Sequence, residues 1–254
     1  MASPKVVLCM KWGTLYSAEY VNVLYNACRR NINDAFRFVC LTNEPEGINA
    51  SVEIFPIPEI GLEEWHYYNG AWPKIAVFLN DLYGLQGRCL FIDLDTVILG
   101  NLDSFFEISG ELVAINNAPW SSPKLEPRTM SSVFAFDLEK LGYVVKQLQA
   151  DRDALVEKYQ LEQQYLHECV KNIVYWPQDW LVSFKYHLRQ PLLLDRFLPP
   201  KSPPAVAKLV IFHGKPRPID LVRPPKGNWD RFPHFGSGAV NWMQDYWHDN
   251  GGIS

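Results

Sequence analysis

The sequence predicts an α/β fold in which helices flank a mostly parallel β-sheet, followed by an irregular, proline-rich C-terminal segment. Short apolar runs alternate with stretches of helical periodicity through the first half of the chain, as expected for successive strand–helix units. One apolar run, residues 89–92, ends in two carboxylates, Asp93 and Asp95. Ten of the nineteen prolines lie between Pro191 and Pro233, and proline is excluded from helix interiors and central strands.

The predicted elements begin with a strand over residues 5–10, an amphipathic helix over 17–30, and strands over 36–42 and 52–57. Pro73 suits the first position of a helix, which we expect to end near residue 83. The remaining predicted elements are strands over 111–116, 131–137 and 206–213, a mostly helical stretch over 138–169 interrupted near 151–153, and a short aromatic helix over 239–248.

The composition argues against nucleic-acid-binding and membrane-spanning proteins. The chain is 48% hydrophobic and carries a net charge of −4, which suits a globular protein and argues against nucleic acid as a partner. Five cysteines without a Cys-x-x-Cys pair indicate free thiols in a reducing compartment. No apolar run reaches the ~20 residues of a membrane span, and residues 6–10 are too short a run for a signal peptide. We therefore expect a cytoplasmic protein without a transmembrane segment.

Asp93 and Asp95 are the most informative residues of the sequence. A carboxylate at the end of a buried strand is costly unless it is paired or binds a metal. Mg²⁺ and Mn²⁺ prefer carboxylate oxygens, so the pair predicts a divalent-cation site. Ligands of open α/β sheets bind at the carboxyl ends of strands, and His213 also follows a predicted strand.

An Asp-x-Asp sequence after an apolar strand has several interpretations. It resembles the metal-binding motif of GT-A glycosyltransferases. Residues 91–97 also fit, superficially, the motif of haloacid-dehalogenase phosphatases, but that motif normally opens a chain and no later acidic pair completes its metal site. A non-catalytic protein that binds nucleotide sugars is a third interpretation. The structural alternative is a surface turn with a capping aspartate, which Asp103 fits better.

Further motifs, taken in order, resemble glycosyltransferase family 8, the retaining glycogenin-like and lipopolysaccharide galactosyltransferase-like enzymes. The resemblance spans residues 5–220 and is carried by six degenerate matches. Residues 8–16 resemble the family's nucleotide-binding loop, 72–74 its donor-contacting helix and 130–136 its Asn-Ser-Gly segment. Residues 162–166 resemble its Asp-Gln pair, 177–181 its Pro-x-x-Trp-Asn element and 212–216 its His-Gly-Lys-Pro element. The 130–136 match lacks the Asn and the Gly, and the 177–181 match lacks the Asn, so the chain resembles a divergent member.

The resemblance implies roles for particular residues toward the donor. Trp12 or Tyr16 would stack on the nucleotide base, and Lys74 would contact the donor. Lys215 would contact the phosphates as a point charge. Gln163 would lie beneath the sugar and stabilise the oxocarbenium-like transition state.

The resemblance also implies a metal site and an activity. Asp95, Asp93 and His213 would bind Mn²⁺, or Mg²⁺. A single GT-A-like domain is expected over residues 1–254, with a nucleotide-binding half at 1–115 and an acceptor half with a C-terminal wrap at 116–254. The expected reaction is the transfer of a hexose from a UDP-sugar to a hydroxyl of a saccharide, glycolipid or protein acceptor, with retention at the anomeric carbon.

The aromatic stretch from Trp242 to Trp247 is a possible membrane contact, but it carries no Lys or Arg. It therefore lacks the basic face expected of a helix at an anionic membrane surface.

Overall fold

The computed structural model describes residues 4–121, 126 and 128–253. Over these residues the strands are β1 (Lys5–Lys11), β2 (Phe36–Thr42), β3 (Glu53–Phe55), β4 (Arg88–Ile92), β5 (Val97–Ile98), β6 (Leu112–Asn116), β7 (Thr129–Asp137), β8 (Ile173–Tyr175), β9 (Leu181–Ser183) and β10 (Leu209–Ile211). The α-helices are α1 (Ala18–Asn31), α2 (Asp103–Glu107), α3 (Ala118–Ser121), α4 (Gly142–Ala150), α5 (Arg152–Lys158), α6 (Glu162–Cys169), α7 (Pro218–Val222) and α8 (Asn241–Asp249). Short 3₁₀ helices include Glu64–Tyr67, Trp72–Phe78 and Leu194–Arg196.

The described residues fall into two compact units. The first contains residues from 1–16, 34–93 and 103–176, and the second contains residues from 17–33, 94–102 and 177–254. The division into a nucleotide-binding half and an acceptor half at residue 115 stays a prediction.

A seven-stranded sheet forms the centre of the first unit, in the order β3-β2-β1-β4-β7-β6-β8. Neighbouring strands are parallel except at β7, which runs antiparallel to both β4 and β6. Helices flank the sheet, with α2 near β4 and α6 near β7. The predicted mostly parallel α/β fold is therefore confirmed. The reversed direction of β7 was not predicted, because an apolar run does not encode the direction of its strand.

Most elements lie where the sequence places them, and the differences have local causes. The helix expected from Pro73 is a 3₁₀ helix that ends at Phe78, where Leu79 turns to an extended conformation. Gly142, at the start of α4, has no side chain in the space that Asn80 fills, so the chain after this helix packs directly on the α4 backbone. The predicted strand over 206–213 is reduced to the three residues of β10.

In the first unit, β4 lies between β1 and β7, and aromatic side chains pack around it. Phe134 of β7 stacks on Phe91 of β4 with ring centroids 4.7 Å apart and contacts Phe78 at 5.5 Å. All three rings are buried. Aromatic pairs of this kind contribute ~0.5–1.5 kcal/mol each beyond their area of burial. They fix the helix Trp72–Phe78, and with it Lys74, relative to the end of β4.

The second unit contains a three-stranded sheet in the order β5-β10-β9. Helix α8 is anchored to α1, because the Trp247 indole donates a hydrogen bond to Glu19 at 2.7 Å and its ring meets Tyr20 edge-on with centroids 5.0 Å apart. Trp247 is buried by these contacts.

No helix of the described residues combines the length and the apolar composition needed to cross a bilayer.

Candidate active site

The first unit carries an ion pair at the carboxyl end of β4. Every residue of β4 is buried, and Asp93 follows it with its backbone N–H donating to the Ser132 carbonyl at 2.8 Å. The Lys74 ammonium donates to Asp93 Oδ2 at 2.7 Å and lies 5.6 Å from the centre of the Phe91 ring. Burial raises the pKa of Asp93, and the Lys74 charge opposes this rise. Lys74 therefore provides most of the charge compensation that the buried carboxylate requires.

A second buried carboxylate, Glu162, lies beside this pair. Its Oε1 is 3.9 Å from the Lys74 ammonium and accepts a hydrogen bond from the Ser131 hydroxyl. Glu162 is the first residue of α6 and is only 3% exposed. Burial raises its pKa, while Lys74 lowers it and the nearby charge of Asp93 raises it further. The positive charge of Lys74 therefore compensates the negative charges of both Asp93 and Glu162.

In the sequence, Glu162 is notable only as part of a loose match to Asp-Gln. Its burial was not foreseen, because a glutamate in the first turn of a helix is ordinarily exposed and interacts with the helix dipole. The available signal was its place directly before Gln163.

Replacing Glu162 with glutamine is expected to stabilise the chain at pH 8 and to lose that advantage as the pH falls. The raised pKa means that the folded chain favours the protonated carboxyl, so the ionised form costs stability above the folded pKa and costs nothing below the unfolded one. Urea unfolding of wild type and Glu162→Gln at pH 5 and pH 8 measures this difference.

Glu53→Gln is the matched control for that experiment. Arg37 pairs with Glu53 at 2.6 Å and lowers the pKa of its carboxyl, so the sign reverses. This control should be less stable than wild type by a similar amount at pH 8 and at pH 5, because the contribution of a carboxyl with a lowered pKa is lost only as the pH falls below the unfolded pKa toward the folded one. A Glu162→Gln profile that follows the Glu53→Gln profile would show that burial does not dominate at Glu162.

Gln163 lies at the wall of a cavity. The cavity, of about 590 Å³, is lined by polar side chains from α6, β7 and the preceding loop, including Gln163, Thr129, Tyr159 and His167. Its volume is within the range of small-molecule sites, ~300–1,000 Å³. Gln163 is half-buried, and its side-chain oxygen accepts a long hydrogen bond, 3.5 Å, from the Ser131 N–H. Gln163 and Glu162 therefore both contact Ser131 of β7, the strand that pairs with β4.

Trp12 and Tyr16 follow β1, the strand next to β4. Both are half-buried, and the Trp12 indole donates to the Tyr67 carbonyl at 2.6 Å. That bond fixes one edge of the Trp12 ring against the core. Stacking of either ring on a base stays a prediction.

The second unit carries the other predicted metal ligands, Asp95 and His213. Asp95 is 7% exposed, and His213 Nε2 and Ser183 Oγ are hydrogen-bonded at 2.7 Å. Burial and the Lys185 charge lower the pKa of His213 to about 4. The imidazole is therefore uncharged at neutral pH, which is the form that binds metals. Lys215, two residues later, is exposed.

The fold has counterparts among solved structures. It matches the galactosyltransferase LgtC, solved with donor and acceptor sugar analogues, with a TM-score of 0.59 and 13% identity over 98% of this chain and 97% of that one. It also matches, at a TM-score of 0.63, 13% identity and the same coverage, an LgtC variant with an active-site glutamine changed to glutamate. The chain has a glycosyltransferase fold. The glycosyltransferase GlyE of Streptococcus pneumoniae TIGR4 matches at 0.58 and 12% identity over 99% of this chain and 61% of that one.

These matches confirm the predicted GT-A fold and its resemblance to the galactosyltransferase-like enzymes. No family model matches the sequence, and no curated protein matches it. At 12–14% identity the similarity lies in the fold, and the assignment of individual residues depends on the geometry of this chain.

The predicted metal ligands are of a suitable chemical type. Two carboxylates suit Mn²⁺ and Mg²⁺ alike, and an uncharged imidazole is a ligand that Mn²⁺ accepts more readily than Mg²⁺ does. Asp93 belongs to the first unit, whereas Asp95 and His213 belong to the second. Among the residues that the structure describes, no three His, Cys, Asp or Glu side chains form a group that could hold a metal ion. The metal site therefore stays a prediction.

Proposed function

We propose that the chain is a metal-dependent glycosyltransferase that moves a hexose from a UDP-sugar to an acceptor hydroxyl with retention at the anomeric carbon. The observation that carries this proposal is the buried group at the end of β4, where Lys74 pairs with Asp93 and lies beside Glu162, in a chain with a glycosyltransferase fold. The Lys74 side chain is 8% exposed and that of Asp93 is 21% exposed, and ion pairs that are largely removed from water are costly to stability and common at functional sites.

Two cations, a bound metal ion and Lys215, would hold the donor diphosphate. Asp95, Asp93 and His213 would bind Mn²⁺, which supplies Lewis-acid stabilisation of the leaving diphosphate. Lys215 would place a positive point charge at the phosphates, since its side chain is exposed and flexible. Trp12 or Tyr16 would provide a ring for the base.

The sugar would contact the group around Ser131. Gln163 presents an amide at the wall of the cavity, and an amide oxygen stabilises positive charge that develops at an anomeric carbon without acting as a base. In a retaining transfer the leaving phosphate can accept the proton of the incoming hydroxyl. The protein would then need to orient the reactants and stabilise charge, which is what preorganised polar groups do.

Enzymatic release of UDP from a panel of UDP-sugars, with Mn²⁺ and with a chelator, tests the proposal. We expect release from at least one donor, only with the metal, and nuclear magnetic resonance of the product should show the donor's anomeric configuration. Hydrolysis of a generic phosphomonoester without any nucleotide affinity would favour the phosphatase interpretation. Binding of UDP-sugars without release or transfer would favour a non-catalytic binding protein.

Gln163→Ala is expected to lower the rate of transfer by ~10²–10³-fold, the effect of removing one preorganised group that stabilises a transition state. The expected change is in kcat, because the contact strengthens as charge develops. Gln149→Ala, which removes an exposed glutamine of α4, is the control and should leave the rate unchanged. Equal rates for the two variants would remove Gln163 from the reaction.

A further inference from the structure

The proline-rich segment of the second unit exposes large apolar side chains in an unusual concentration. Phe197 is 76% exposed, and its neighbours Leu192, Leu193, Leu194 and Leu198 are each about half exposed. Single exposed leucines are ordinary on protein surfaces, but a contiguous group indicates a surface for interaction.

A buried polar anchor holds these residues outward. The 3₁₀ turn Leu194–Arg196 places Asp195 inward, where its side chain is fully buried. Asp195 accepts from the Arg189 guanidinium at 3.0 Å and from the Gln190 N–H at 2.8 Å, and Arg189 also pairs with Asp230. Because the polar side of the turn is fixed to the protein, its leucines and Phe197 cannot turn inward without breaking this network.

The exposed group continues onto a second loop. The Arg196 guanidinium lies 5.9 Å from the centre of the Phe197 ring and 5.6 Å from that of Phe235. Phe235 contacts Phe232 with centroids 5.8 Å apart, and Phe232 is 74% exposed. We use the name Leu–Phe patch for the surface formed by Leu192, Leu193, Leu194, Phe197, Leu198 and Phe232.

The exposed charges of the two segments that carry the Leu–Phe patch, residues 189–206 and 229–236, have one sign. Arg196, Lys201 and Arg231 are exposed, whereas the acidic residues of 189–206 and 229–236 are Asp195, which is buried, and Asp230, which pairs with Arg189. Exposed apolar side chains that share their segments with exposed cations can bind anionic lipid headgroups through the cations while the apolar side chains enter the headgroup–acyl boundary.

We propose that the Leu–Phe patch docks the protein on the surface of an anionic lipid bilayer. A second copy of the chain is a poorer occupant, because a two-fold contact would bring Arg196, Lys201 and Arg231 against their own copies, and residues 189–206 and 229–236 contain no exposed acid to compensate. The aromatic stretch 242–247 is a poorer lipid contact, since Trp247 is buried and the stretch lacks basic residues.

Co-sedimentation of the full chain with vesicles tests the proposal. Wild type should bind vesicles of phosphatidylcholine with 30% phosphatidylglycerol, should bind pure phosphatidylcholine weakly, and should be released by salt. Phe197→Ser with Phe232→Ser should lower binding by about tenfold or more through lost apolar contact. Lys201→Glu with Arg231→Glu should lower it by about tenfold or more through lost headgroup attraction.

Matched controls change the same residue types elsewhere on the surface. Leu15→Ser with Ile253→Ser removes exposed apolar side chains outside the patch, and Arg30→Glu with Lys171→Glu reverses exposed charges outside it. These controls should bind the anionic vesicles as wild type does, and circular dichroism should show all variants folded. Failure of wild type to bind the anionic vesicles, or equal loss in patch and control variants, overturns the proposal. Self-association that disappears in the Phe197/Phe232 variant, without vesicle binding, would assign the patch to a second copy instead.

Discussion

Asp95→Asn is expected to lower metal-dependent UDP release by ~10²–10³-fold or more, because the asparagine keeps the shape of the side chain but removes the charge that would bind the cation at the leaving diphosphate. Asp95 is only 7% exposed, and the asparagine fills the same space, so circular dichroism should show that the variant folds. The measurement is the rate of UDP release at saturating donor with a Mn²⁺ titration.

Asp34→Asn is the matched control for Asp95→Asn. Asp34 pairs with Lys5 at 2.7 Å but is 71% exposed, so its loss should change neither rate nor stability measurably. Turnover by Asp95→Asn at the wild-type rate, with an unchanged requirement for Mn²⁺, would remove the Asp-x-Asp pair from the mechanism.

Lys74→Met is expected to destabilise the chain by ~3–5 kcal/mol, because it leaves the buried Glu162 and the partly buried Asp93 without their cation. Lys74 is 2.7 Å from Asp93 and 3.9 Å from Glu162, and its side chain is 8% exposed. Chemical denaturation gives the free energy of unfolding, and Lys74→Met with Glu162→Gln should recover part of the loss, since one of the two uncompensated charges is removed.

Arg37→Met provides the comparison with an exposed pair. Arg37 bonds Glu53 with two nitrogens, at 2.8 and 2.6 Å, but both side chains are well exposed, so the loss should stay below ~1 kcal/mol. A Lys74→Met loss as small as that of Arg37→Met would show that the pair at the end of β4 is solvated.

The sequence predicted the features that depend on local pattern. An apolar run followed by two carboxylates was sufficient to place Asp93 and Asp95 at the end of β4, and the strands β1 and β2 were placed within a residue of their bounds. Alternating strands and helices were sufficient for the fold class, which the structure confirms.

What the sequence did not predict depends on contacts between distant residues. Lys74 was assigned to the donor, and its pairing with Asp93 and Glu162 requires the packing of the helix Trp72–Phe78 on β4 and α6 on β7. Likewise, the leucines after Pro191 resemble any apolar run, and only the burial of Asp195 shows that they face outward. The direction of β7 has the same origin, since pairing partners and not composition determine it.

We propose that Asp93 and Asp95 contribute to the binding of a divalent cation together with a nucleotide. Electron paramagnetic resonance of Mn²⁺ titrated with the protein and UDP tests it directly, because the free-ion signal falls when the cation binds. We expect wild type to bind one Mn²⁺ per chain in the presence of UDP and Asp95→Asn not to bind it, while Asp34→Asn should bind as wild type does. Equal binding of Mn²⁺ by wild type and Asp95→Asn, or a free-ion signal that wild type leaves unchanged, would contradict it.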